Sequence, residues 1–178
     1  MLIKPKNKGK VMFAYIHGYG SNKNGRSGKV LKELLGARGE VLEPLGWDSN
    51  ATYDEIYADL KSQILDLQIR ANDNLTLIGS SLGGYLSARF GMALGLKSVL
   101  FNPSLTPSFR IPSVPDLVLD KPINALIFVS ADDELLAQND IKVKALFGSK
   151  AQIFITHTTH RVMDYEPFIA GILEFAKN

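Results

Sequence analysis

Short apolar runs and longer stretches of helical period alternate along this chain. The first run, Val11-Met12-Phe13-Ala14-Tyr15-Ile16, is apolar throughout, as expected of a strand buried on both faces. Val30, Leu31, Leu34 and Leu35 then mark one face of a helix over residues 26–37. A short edge strand is predicted at 40–42, ended by Pro44. Thr52 and Glu55 stand at capping-box spacing, and Ile56, Leu60, Ile64 and Leu67 form the apolar stripe behind them. Residues 75–79 read as strand, a helix follows through Leu94, and 98–101 are strand again. Residues 125–130 and 152–156 are two further buried-strand candidates with a helix between them. Asp164 is placed to cap a last helix with Phe168, Ile172 and Phe175 on its inward face.

Repeated strand–helix alternation implies right-handed crossovers and a parallel sheet of about six strands with helices on both faces, a three-layer α/β arrangement. The one long irregular stretch, 102–124, carries Pro103, Pro107, Pro112, Pro115 and Pro122, which forbid a long helix there. Neither side of it is large enough to fold alone, so residues 1–178 are read as one domain.

Composition narrows the possibilities. A formal net charge of +2, thinly spread, gives no case for nucleic acid or an acidic membrane surface as partner. The one basic run, between Lys4 and Lys10, reads as a solvated tail. Cysteine is absent, which excludes disulfides, thiolate catalysis and Cys-ligated metals and fits a reducing compartment. The Val11-to-Ile16 run is too short for a signal-peptide core or a membrane span, so the chain is read as cytoplasmic.

The stretch Gly79-Ser80-Ser81-Leu82-Gly83-Gly84 follows the strand at 75–79 directly and opens the next helix. It reads G-x-S-x-G with Ser81 at the centre. On so sharp a turn the serine backbone is strained and its neighbours two residues away must be small, hence Gly79 and Gly83. The turn presents the hydroxyl, and the helix N-terminus sets positive dipole beneath it.

A serine hydroxyl near neutral pH needs a base, an orienting acid and an oxyanion hole. Of three histidines, His17 ends the first strand, while His157 and His160 follow the last one. Asp132, Asp133 and Glu134 follow the strand at 125–130. The order Ser81, acid, His is that of an α/β-hydrolase triad at the carboxyl edge of a parallel sheet. His17-Gly18-Tyr19-Gly20 would supply one oxyanion N–H at about Tyr19 and Leu82 the other, with His17 fixing that loop. Residues 20–27 nearly match a phosphate-binding loop, but Arg26 replaces its lysine and the glycines begin four residues past the strand. No dinucleotide fingerprint and no metal-ligand spacing are present, so neither cofactor nor metal is expected.

These motifs resemble the small, lidless α/β-hydrolases of the YqiA-like esterase family. The resemblance runs from about Phe13 to Phe175. It rests on Tyr15-Ile16-His17-Gly18-Tyr19, Gly79 to Tyr85, Phe101-Asn102-Pro103-Ser104, Asp133-Glu134-Leu135-Leu136, and His160 with Tyr165-Glu166. It implies Ser81 as nucleophile, Asp133 as acid, His160 as base, and hydrolysis of small or short-chain carboxylic esters without a cap domain. His17, Gly18, Trp47 and Asn102 are expected to border the substrate. Thioester or amide cleavage on the same triad, and a non-catalytic binding relative, stay open at this point.

Overall fold

The computed structural model describes residues 10–178, apart from Arg110 and Pro112. The basic run therefore lies, except for Lys10, outside the described residues. In chain order the elements are β1 (Met12–Ile16), α1 (Arg26–Gly36), β2 (Val41–Leu45), α2 (Tyr53–Arg70), β3 (Leu75–Ser80) and α3 (Leu82–Leu94). They continue with β4 (Lys97–Phe101), β5 (Asn124–Ser130), α4 (Asn139–Phe147), β6 (Gln152–Thr156) and α5 (Glu166–Lys177). The six strands form one sheet in the order β2-β1-β3-β4-β5-β6, every neighbouring pair parallel.

Alternation along each strand divides the core between two layers. On β1, Phe13 and Tyr15 face Leu31 and Leu35 of α1 and Ile169 and Ile172 of α5. Ala14 and Ile16 face the other side, with Ile56, Leu60 and Ile64 of α2, Leu86 of α3 and Val143 of α4. The capping box at α2 is present in both directions: Glu55 accepts the Thr52 N–H at 2.8 Å, and Thr52 Oγ1 accepts the Glu55 N–H at 3.4 Å.

Strand order reverses between β1 and β3. The chain leaves β1 toward β2 on one side, then returns to place β3 on the other. Loops leaving the carboxyl ends of β1 and β3 therefore diverge and leave a crevice, the position where open α/β sheets bind ligands.

Three local expectations need correction. Pro44 does not end β2 but lies within it, opposite Tyr15. An edge strand tolerates proline because the missing N–H faces no neighbour. β6 is not a buried strand: Phe154 is 53% exposed, on the strand that ends the sheet. Asp164 is not the N-cap, a position held by Tyr165, although its carboxylate still accepts the Glu166 N–H at 3.0 Å.

Candidate active site

Ser81 sits between β3 and α3 with φ 55° and ψ −117°, a conformation L-residues adopt only under strain. Backbone hydrogen bonds hold it there. Its N–H donates to Phe101 O at 3.0 Å, and its carbonyl accepts from Ser104 N at 3.0 Å and Tyr85 N at 3.1 Å. The flanking glycines are required by packing. A Cβ on Gly79 would overlap the Gly83 carbonyl, and one on Gly83 would overlap the carbonyl oxygens of Ile16 and His17. Backbone cannot yield as a flexible side chain can. Gly83→Ala is accordingly expected to destabilise the fold by about 4 kcal/mol or more, read as a loss of soluble folded protein or a collapsed urea midpoint.

Across the crevice, Gly18 approaches so closely that a Cβ there would lie 3.3 Å from Ser81 Cβ and 3.9 Å from Ser81 Oγ. The loop after β1 thus passes directly beside the half-buried Ser81 side chain. Leu82 opens α3, so its amide belongs to the first helical turn, where N–H groups lack an intrahelical acceptor.

His160 is buried in the loop between β6 and α5. Its Nδ1 meets both carboxylate oxygens of Asp133, at 2.8 and 3.0 Å, and the Asp133 side chain is only 1% exposed. Asp133 Oδ1 also accepts the N–H groups of Leu135 and Leu136, at 3.0 and 2.8 Å, which fixes the carboxylate plane. The rival residues pair with each other instead. His157 Nδ1 lies 2.9 Å from Asp132 Oδ2 on the surface, with both side chains more than half exposed.

The histidine loop is moored on several sides. Asn102, buried and at φ 42°, donates from Nδ2 to the carbonyls of His160 (2.9 Å) and Thr159 (3.3 Å) and accepts Ser130 N–H at 2.7 Å. Its carboxamide is thereby engaged by backbone, so it braces the loop rather than facing a ligand. Ser130 Oγ bonds the Thr158 carbonyl, and Arg26 bonds the carbonyls of Val162 and Met163. Glu134 accepts the His160 N–H at 2.8 Å, and that bond holds its carboxyl below the ordinary carboxylate value. Asn102 follows Phe101, the residue whose carbonyl receives Ser81 N–H, so serine and histidine are anchored to adjacent residues at the end of β4. No hydrogen bond joins Ser81 Oγ to the His160 ring among the described residues.

On the other side of the crevice His17 is 1% exposed and stacks on Trp47, with ring centroids 4.9 Å apart and planes 10° from parallel. Its Nδ1 lies 2.9 Å from Gly18 O, and burial depresses its pKa below the ordinary imidazole value. Tyr19 beyond it is exposed. The moorings by Arg26, Ser130 and Glu134 were not apparent from the sequence. The sole signal was an asparagine directly after a strand, a residue that tolerates positive φ. Arg26, matched by spacing to a phosphate-loop lysine, is instead a tether.

Residues 12–116, more than half of the chain, match the profile of the Uncharacterised protein family (UPF0227). A UPF0227 protein of Vibrio cholerae is 31% identical over 100 residues, 56% of this chain and 55% of that relative. The chain thus matches about half the length of such curated relatives. Two solved structures show the same fold at low identity. One is a Xanthomonas campestris protein assigned to the hydrolases of the alpha/beta superfamily, with TM-score 0.66 and 22% identity over 94% of this chain and 95% of that one. The other belongs to the metagenome-derived lipolytic enzymes LipS and LipT, with TM-score 0.76 and 15% identity over 94% of each chain. By its sequence match this chain belongs to the UPF0227 family, and its six-stranded parallel sheet is that of the α/β hydrolases.

Proposed function

We propose that this protein is a serine hydrolase that cleaves carboxylic esters, with Ser81 as nucleophile, His160 as base and Asp133 as the orienting acid. The observation that carries this reading is the buried His160–Asp133 pair, moored to the same strand end that holds the strained Ser81. The His157–Asp132 pair is exposed, and is given no part.

In this reading Asp133 accepts a hydrogen bond from Nδ1–H, which leaves Nε2 as the basic nitrogen. His160 takes the Ser81 proton as the oxygen attacks the ester carbonyl. The amides of Leu82 and about Tyr19 hold the developing oxyanion. His160 then passes the proton to the departing alcohol. Water, deprotonated by the same nitrogen, releases the acid and restores Ser81. Hydrogen bonds between nucleophile and base are often long in substrate-free sites and tighten on binding, consistent with the unjoined Ser81 hydroxyl. The lipolytic character of one structural neighbour supports the same chemistry.

The reading is tested with a fluorophosphonate, whose phosphoryl group mimics the tetrahedral intermediate, followed by mass spectrometry of the adduct. A single adduct on Ser81 that disappears in His160→Ala and survives in His157→Ala is expected. Absence of any adduct on folded protein would overturn it.

A further inference from the structure

A groove of about 520 Å³ opens beside the loop after β1, floored by the stacked rings of His17 and Trp47. His17 precedes Gly18, the residue packed against Ser81, so the groove and the nucleophile border neighbouring residues of the same loop. Its walls are polar. Asn22 and Lys23 stand on one side, Asp48, Asp59 and Gln63 on the other, and none of the lining residues is Leu, Ile, Val or Met.

Several of these groups are already held in place. Asn22 Oδ1 accepts Asn24 N–H at 2.8 Å, and Asp48 Oδ1 accepts Asn50 N–H at 2.9 Å. Gln63 Nε2 donates to Gly46 O at 2.8 Å and to Asp59 Oδ2 at 3.0 Å. The His17 ring lies closed off beneath the groove, only 1% exposed. A carbonyl oxygen can only accept, so His17 Nδ1 donates to Gly18 O; in the neutral ring Nε2 is then a lone pair, and it is buried without a partner.

Such a lining disfavours two substrate classes. An alkyl or fatty chain would leave these carboxylates and carboxamides desolvated and unpaired. An anionic group would meet two carboxylates against one ammonium. A neutral, polyhydroxylated group satisfies both conditions: its hydroxyls donate to carboxylates and accept from amide and ammonium N–H. We infer that this groove is the leaving-group subsite for a saccharide, and that the preferred substrates are O-acylated sugars.

This inference rests on the hydrolase reading above, and its test separates the two. Trp47 is the only tryptophan in the chain, so intrinsic fluorescence reports on the groove itself without any turnover. Ser81→Ala protein is titrated with 6-O-acetylglucose and, separately, with hexyl acetate; wild-type hydrolysis of the same two acetates is then compared. A site built to pair hydroxyls rejects an analogue lacking them strongly, so kcat/KM should favour the sugar ester by about 10²-fold or more. A saturable fluorescence change with 6-O-acetylglucose alone is also expected.

Lack of that fluorescence response, or hydrolysis of hexyl acetate as fast as of the sugar ester, overturns the subsite even if the enzyme proves active. Saturable binding of 6-O-acetylglucose with no hydrolysis of either acetate would uphold the groove and overturn the hydrolase. In Asp59→Ala protein the sugar-to-hexyl kcat/KM ratio should fall about tenfold; an unchanged ratio counts against the subsite.

Discussion

Replacing Ser81 with glycine is expected to stabilise the protein and abolish its hydrolysis of esters. The two effects have separate origins in one residue. A non-glycine residue in so sparsely populated a conformation costs about 1–3 kcal/mol, and glycine removes that strain. Against this, glycine adds about 0.5–1 kcal/mol of unfolded-state freedom. The net gain should be about 1 kcal/mol, measured as a raised urea midpoint at unchanged slope. Activity on a simple acetate ester should fall by about 10⁴-fold or more, since the nucleophile is gone. Ser81→Ala provides the control: it keeps the Cβ and with it the strain, so it should lose the same activity without the stability. If the glycine variant were no more stable than the alanine one, the elbow at φ 55° would not be stored strain.

The second large effect distinguishes two pairs of identical composition. Asp133→Asn should lower kcat by about 10⁴-fold, because an amide in place of the carboxylate stabilises the wrong imidazole tautomer. His160→Ala should do at least as much. Asp132→Asn and His157→Ala should leave kcat within about twofold, since an exposed ion pair is worth little to anything beyond itself. Steady-state kinetics on one acetate ester decides all four. Comparable losses from both pairs would show that the loop after β6 takes up a different arrangement during turnover.

The family resemblance selected Asp133 and His160, but spacing alone could not separate these pairs. Asp132 and His157 are 25 residues apart and Asp133 and His160 are 27 apart, so both are equally compatible with loops at adjacent strand ends. Which pair turns inward depends on tight-loop geometry, and on the distant groups that grip it: Asn102 from the end of β4 and Arg26 from the start of α1. By contrast the core strands and the capping box announced themselves, because periodicity and cap chemistry are local. G-x-S-x-G was legible for the same reason, since overlap with neighbouring carbonyls forces glycine at both flanks. The edge strands were read less well. Pro44 was read as the end of a strand already placed at the edge, where proline can in fact lie inside it, and 152–156 looked buried because apolar content alone does not tell a central strand from the last one. The groove over His17 and Trp47 was half visible. The ring pair lies in loops the sequence placed at the same sheet edge, but its polar walls come from loop and helix positions that no motif marks.

The loop that carries His160 is held by partners far apart in sequence: Glu134 and Ser130 by 26 and 28 residues, Asn102 by 58, and Arg26 by 136. A general base that depends on contacts of such range exists only once the ends of β4 and β5 and the first turn of α1 have all docked. The serine elbow shares that dependence: its strand, turn and helix are contiguous, but two of the three backbone bonds that hold Ser81 reach Phe101 and Ser104 at and beyond the end of β4. A partly assembled chain, with β4 undocked, would therefore hold neither Ser81 nor the His160 loop in place. Both halves of the site are thereby completed together with the sheet, in one cooperative step.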